Sequence, residues 1–113
     1  MKDEKYDIAF KMIADAGDSR ADSIYAIQEA QKGNIEIAKN LLLSAKKKMQ
    51  NSHKFQFDLI TAEANGNSIE INILLIHAED HLSMATIMID VASAFITNAE
   101  QIVELKERCE YLK

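Results

Sequence analysis

The chain reads as an all-α protein, an antiparallel up-down-up bundle of three helices, and three observations predict it. Proline is absent and glycine occurs only at Gly17, Gly33 and Gly66, so few positions interrupt a helix. Apolar residues recur at three- and four-residue spacings along most of the length. Two short clusters of turn-forming residues divide the chain, and short connections make neighbouring helices run antiparallel. At 113 residues there is enough chain for one core but not two, so residues 1–113 are read as a single domain with one site.

Helix 1 is expected from roughly Tyr6 to Lys32, with Phe10, Ile13, Ala14, Gly17, Ala21, Ile24 and Ile27 on one buried face. Gly33 then ends it in a left-handed conformation, and the side-chain oxygen of Asn34 caps the next helix. Helix 2 runs from about Ile35 to Ala64. Its inner face carries Ala38, Leu41, Leu42, Ala45, Met49, Gln56, Leu59 and Ile60, while Lys46, Lys47 and Lys48 mark a solvated face. The second break is Asn65-Gly66-Asn67-Ser68, where Asn67 and Glu70 resemble a capping box that starts helix 3.

Helix 3 differs from the others in having two apolar stripes. Ile73, His77, Asp80, Met84, Ile87, Val91 and Ala94 form one at alternating spacings of four and three. Leu75, Ala78, Leu82, Ala85, Ile89, Ala92 and Ile96 repeat the rhythm on another side. A three-helix bundle buries only part of such a helix, so the remaining face is expected to pack against copies of itself in a homo-oligomer with a parallel helical seam.

Composition narrows the function classes. A formal charge of −5, with lysines gathered only at 46–48, argues against nucleic-acid binding. The single cysteine, Cys109, forms no internal disulfide and, among Glu107, Arg108 and Glu110, reads as an incidental exposed thiol. Lys2-Asp3-Glu4-Lys5 does not resemble the start of a signal peptide, which points to the cytoplasm. The longest apolar run, Ile71 to Ile76, is broken at Asn72 and ends at His77, so direct membrane insertion is not expected and any membrane association comes through a partner.

His77, Asp80 and His81 stand at i, i+3 and i+4, which on a helix places them on one side within a turn. They form either a reactive cluster or an ordinary polar surface; the apolar residues before them and Leu82 after them favour the first, because half-buried ionisable groups need partners. Asp80 either meets water or lies on the oligomer seam, where its copies repel unless protonated or bridged by a hard divalent cation such as Mg²⁺. Met84, Ile87 and Met88 serve either as a docking rim or as core filler. His77-Ala78-Glu79-Asp80-His81 also looks like a His-x-x-Glu-His zinc-protease motif, but the shorter Asp80 replaces the glutamate base and no downstream acidic ligand is evident.

Four blocks carry a resemblance to a known family. They are Ala16-Gly17-Asp18-Ser19-Arg20, Ala30-Gln31-Lys32-Gly33-Asn34, Ser52-His53-Lys54-Phe55-Gln56 and, most specifically, Leu74-Leu75-Ile76-His77-Ala78-Glu79-Asp80-His81-Leu82. With them the chain resembles, over most of its length, the lactose/cellobiose-type enzyme IIA components of the bacterial phosphotransferase system. In that family the last block usually reads His-Ala-Gln-Asp-His-Leu. Departures are Glu79 for the glutamine, Phe57 where threonine is frequent, and a tail that continues through Gln101-Ile102-Val103-Glu104-Leu105-Lys106.

The resemblance implies a homotrimeric, cytoplasmic phosphocarrier. His77 would accept a phosphoryl group from phospho-HPr and pass it to a cysteine of the cognate enzyme IIB, and through it to the membrane IIC component. Asp80 copies would hold one Mg²⁺ per trimer, and the sugar would be a β-disaccharide of cellobiose, lactose or chitobiose type. A neutral imidazole nitrogen suits reversible phosphoryl transfer, and no Gly-rich loop is needed when the group arrives activated. His81 either orients His77 or caps the apolar face; Gln56 and His53 are expected to approach the site from helix 2. The competing reading is a noncatalytic helical adaptor that binds partner helices through the two-striped helix 3.

Overall fold

The computed structural model describes residues 4–67 and 70–112. Three helices follow one another: α1 (Glu4–Gln31), α2 (Ile35–Ala64) and α3 (Ile73–Leu112). Late α2 meets early α3 in the Gln56–Glu79 hydrogen bond and early α2 meets late α3 in the Lys39–Glu100 ion pair, so these helices are antiparallel. Arg20 against Met84 and Gly33 against Val103 make α1 and α3 parallel. The up-down-up bundle stands as read from the sequence.

Both helix ends at the breaks close the same way. Gly33 and Gly66 each adopt φ 86°, a left-handed value that glycine adopts without steric cost. At the first, the Gly33 N–H donates to the Ala30 carbonyl and the Asn34 N–H to that of Glu29; at the second, Gly66 donates to Glu63 and Asn67 to Ala62. These paired bonds satisfy carbonyls that a helix end leaves orphaned.

Two expected caps are corrected. Asn34 makes no side-chain cap; its amide donates instead to Glu29 Oε1 at 2.9 Å, folding back onto the helix it follows. The start of α3 is not an Asn67–Glu70 capping box, because α3 begins only at Ile73, and the Asn67 N–H closes α2. Asn72 performs the capping, its Oδ1 accepting from the Leu75 N–H at 2.8 Å. Ser68 of the expected second turn and the Lys2-Asp3 start lie outside the described residues.

The buried face of α1 is also corrected. Phe10 is 59% exposed and Ile24 38%, and Ala14 and Ala21 are exposed; Ile13, Gly17 and Ile27 are half-buried. The buried set is Ala9, Met12, Ala16, Ser19, Ser23, Ala26 and Ala30. α1 faces two neighbours, and a face of small side chains lets all three backbones approach closely. Ser19 Oγ donates to the Ala45 carbonyl of α2 at 2.9 Å, a direct tie across that close approach.

On α2 the expected Ala38, Leu42, Ala45 and Met49 are buried, joined by Ser52, whereas Ile60 is 61% exposed. Lys46 and Lys47 are solvated as expected. Lys48 reaches Asp22 at 2.8 Å, and that hydrogen bond raises its pKa above the ordinary lysine value. Ser44 Oγ donates to the same carboxylate.

α3 separates its two stripes as the spacing predicts. Ala78, Leu82, Ala85, Ile89, Ala92 and Ile96 are buried against α1 and α2, and Ala99 extends the line. Ile73, His77, Asp80, Met84, Ile87, Val91 and Ala94 are exposed. Taken as a whole, α3 is long and apolar enough by composition to cross a membrane, which the short run Ile71–Ile76 did not reveal. A core helix of a soluble bundle has the same appearance, and one full stripe of α3 is committed to that core. Past Val103, beside the α1–α2 turn, every described residue is exposed, so about 13 Å of helix projects beyond the bundle.

Candidate functional site

The cluster sits early in α3. Asn72 fixes where the helix begins, and the helical repeat then stacks His77 and His81 one turn apart. Their Nε2 atoms are 3.1 Å from each other, and the rings meet edge to face at 89° with centroids 4.5 Å apart. A nitrogen pair at that distance is held by one proton: one Nε2–H donates and the other Nε2 offers its lone pair. His77 is exposed and His81 half-buried, so the pair presents one reachable ring backed by a more enclosed one.

Asp80 is exposed on the same outward stripe, between His77 and Met84. With Glu79, Ser83, Ile76 and Leu75 it borders a depression between α2 and α3. Glu79 is half-buried and accepts a 2.6 Å hydrogen bond from Gln56 Nε2, which pins α2 to α3 beside the histidines. Gln56 thus reaches the residue between His77 and Asp80 rather than an imidazole. His53 borders a different depression with Leu82, Ser83, Thr86 and Ile87, on the α2 side of α3, and is not hydrogen-bonded to either His77 or His81.

Among the described residues of one chain, no group of three or more His, Cys, Asp or Glu converges to hold a metal ion. An exposed carboxylate such as Asp80 suits a hard cation only if other oxygen donors come from elsewhere. Met84 is 40% and Ile87 61% exposed and Met88 is half-buried, so the first two are surface rather than core filler. Cys109 is an exposed free thiol on the projecting end of α3.

One side chain near the site went unassigned in the sequence. Arg20, half-buried on α1, brings Nη1 to 4.0 Å from Met84 Sδ, on the face of α3 that carries the histidines. It was legible only as the last residue of Ala16-Gly17-Asp18-Ser19-Arg20, because nothing in linear spacing says which part of α3 lies opposite.

This arrangement, an exposed imidazole with a second imidazole on its ring nitrogen, is suited to carrying a transferable group. Comparison with known proteins gives the family. Residues 7–100 match the family described as PTS system, Lactose/Cellobiose specific IIA subunit. The lichenan-specific phosphotransferase enzyme IIA component of Bacillus subtilis is 35% identical over 104 residues, covering 92% of this chain and 94% of that protein. A lactose-specific EIIA component of Streptococcus mutans is 37% identical over 82 residues, 73% of this chain and 78% of its own length. The crystal structure of the cellobiose-specific enzyme IIA from Bacillus anthracis superposes with a TM-score of 0.83 at 34% identity, covering 92% of this chain and 95% of that one. Fold, length and sequence therefore coincide, and the chain belongs to the lactose/cellobiose-specific enzyme IIA family, the phosphocarrier subunits of the sugar phosphotransferase system.

Proposed function

We propose that His77 is the phosphoryl carrier, loaded by the phosphohistidine of HPr and unloaded by a cysteine of the cognate enzyme IIB. The observation that carries this reading is the exposed His77 ring whose Nε2 lies 3.1 Å from His81 Nε2. In the loading step, the His77 Nε2 lone pair attacks phosphorus, the donor's P–N bond breaks, and its electron pair returns to the donor ring. His77 keeps its proton on Nδ1. The His81 Nε2–H, which had donated to His77 Nε2, turns to a phosphoryl oxygen. In unloading, the cysteine thiolate attacks, the N–P bond breaks, and the pair returns to His77 Nε2, restoring the neutral imidazole. Gln56 holds Glu79 to α2 and so keeps that carboxylate off the incoming anion; His53 is left as a flanking surface residue.

The exposed Ile73, Asp80, Ile87 and Val91 support a homotrimer with three copies of α3 at its centre, and the helical repeat leaves His77 at the edge of that seam, open to a partner. There Asp80 copies would approach one another and would be the residues to hold one Mg²⁺ per trimer, which would supply charge that relieves their repulsion and no chemistry at phosphorus. The partners place the protein in the cytoplasm beside the membrane IIC component. The names of the relatives, which include lactose- and cellobiose-specific components, support uptake of a β-disaccharide of cellobiose, lactose or chitobiose type.

The test is labelling by phosphoenolpyruvate, its protein kinase and HPr, read by mass spectrometry. Wild type should acquire one acid-labile, base-stable phosphoryl group and His77→Ala none. Full labelling of His77→Ala would remove the assignment.

A further inference from the structure

We infer that Arg20 is the phosphoryl-binding cation of this site, its guanidinium closing on the oxygens of the group carried by His77; the inference rests on the His77 reading above. Three features of α1 lead there. Lys11, Lys32, Lys39, Lys48, Lys54 and Arg108 each pair with a carboxylate and Lys46, Lys47 and Lys106 are solvated, whereas half-buried Arg20, among the described residues, has the Met84 thioether as its one polar partner. The acids nearest on its own helix, Asp18 and Asp22, stand two residues away on other faces, and Asp22 is occupied by Lys48 and Ser44. Arg20 is half-buried as a residue while its fork of donors is unspent, and such a fork matches the paired oxygens of a phosphoryl group.

Its position is the second feature. Met84 follows His81 by three residues and His77 by seven, so all three share one face of α3, within about 10 Å along the axis. The Arg20 guanidinium, seated at Met84, is thus about one turn from His81 and two from His77 along α3, within reach of a group carried on the histidine face after a change of rotamer.

Gly17 is the third. It lies one turn before Arg20, and a Cβ there would have nothing within 4 Å. Its φ is not positive, so backbone conformation does not call for glycine, although glycine is unfavourable in a helix interior relative to alanine. Gly17 and Arg20, three residues apart, share one face of α1, and the missing side chain leaves open space on that face into which a tetrahedral anion bound by the guanidinium would fit. The block Ala16-Gly17-Asp18-Ser19-Arg20 thereby acquires a role: Ser19 ties α1 to α2, Gly17 leaves space, and Arg20 fills it with charge.

The experiment compares wild type, Arg20→Gln and Arg20→Lys, all first shown to melt and sediment alike. Readouts are the loading rate at saturating phospho-HPr, the hydrolysis lifetime of phospho-His77, and its ³¹P chemical shift. Arg20→Gln should load roughly 10- to 100-fold more slowly with a displaced ³¹P resonance, and Arg20→Lys should recover part of the rate. If wild type labels on His77 while Arg20→Gln keeps the rate, lifetime and ³¹P shift of wild type, the Arg20 inference is wrong and the carrier reading survives. A raised KM for phospho-HPr with unchanged kcat and lifetime also overturns it, since that assigns Arg20 to docking. Absence of label in wild type removes the carrier reading itself.

Discussion

Ser19 and Ser23 are one turn apart on the buried face of α1, and their hydroxyls meet opposite fates. Ser19 Oγ donates to the Ala45 carbonyl, while Ser23 Oγ is buried with no hydrogen-bond partner among the described residues. A typical internal hydrogen bond contributes about 1 kcal/mol, and a buried polar group left unpaired costs about 1–3 kcal/mol. Ser19→Ala should therefore lower unfolding free energy by about 1 kcal/mol, and Ser23→Ala should leave it unchanged or raise it. Urea denaturation midpoints decide the matter; a midpoint loss for Ser23→Ala as large as that for Ser19→Ala would mean that the Ser23 hydroxyl is satisfied after all. At this scale the histidine pair was the most legible feature, since an i, i+4 spacing on a helix brings two rings together whatever the rest of the fold does. Gln56 was placed on α2 by its spacing, yet that it meets Glu79 and not His77 depends on how α2 is rotated against α3.

At the level of elements, the end of α1 concentrates several weak interactions. Glu29 accepts hydrogen bonds from the Asn34 amide and from Lys32, and these hold its carboxyl below its ordinary pKa, the Asn34 bond contributing most. A carboxylate whose proton affinity is lower in the folded chain than in the unfolded one adds stability above its ordinary pKa, and loses that contribution as pH falls through the depressed folded value. Glu29→Gln should thus melt slightly below wild type at neutral pH, with the two curves converging well below the ordinary carboxylate range; circular dichroism melts across pH check this, and a gap that persists in acid would contradict it. Gly33 and Gly66 announced both helix ends because only a left-handed residue completes the closing bonds. Which asparagine caps the following helix was not legible: Asn34, Asn67 and Asn72 are chemically alike, and the first two are drawn into closing the preceding helix.

For the whole molecule the open question is what covers the outward stripe of α3. Ile73 is 85%, Ile87 61% and Val91 38% exposed in the isolated chain, with Asp80 among them. If three copies bury this stripe around a shared cation, a chelator should lower the melting temperature of wild type, because a ligand bound only to the folded assembly stabilises it by mass action. Asp80→Leu should remain assembled in sedimentation and melt independently of chelator, since apolar packing replaces mutually repelling carboxylates. Dissociation of Asp80→Leu, combined with a wild type indifferent to chelator, would refute the shared-cation account.

The linear pattern determined the number of helices, their order and direction, the two stripes of α3 and the pairing of His77 with His81. Each of these follows from local geometry: a 3.6-residue repeat, a glycine at a left-handed turn, a connection too short to do anything but reverse. Tertiary structure alone decided which face of α1 is inside, because large apolar residues and close-packed small ones compete for the interior, and the winner depends on how near three backbones can come. Burial went to Ala9, Ala16, Ser19, Ser23, Ala26 and Ala30, and left Phe10 and Ile24 outside. The same rotation of α1 sets Arg20 against Met84, a neighbour 64 residues away that no spacing rule connects to it.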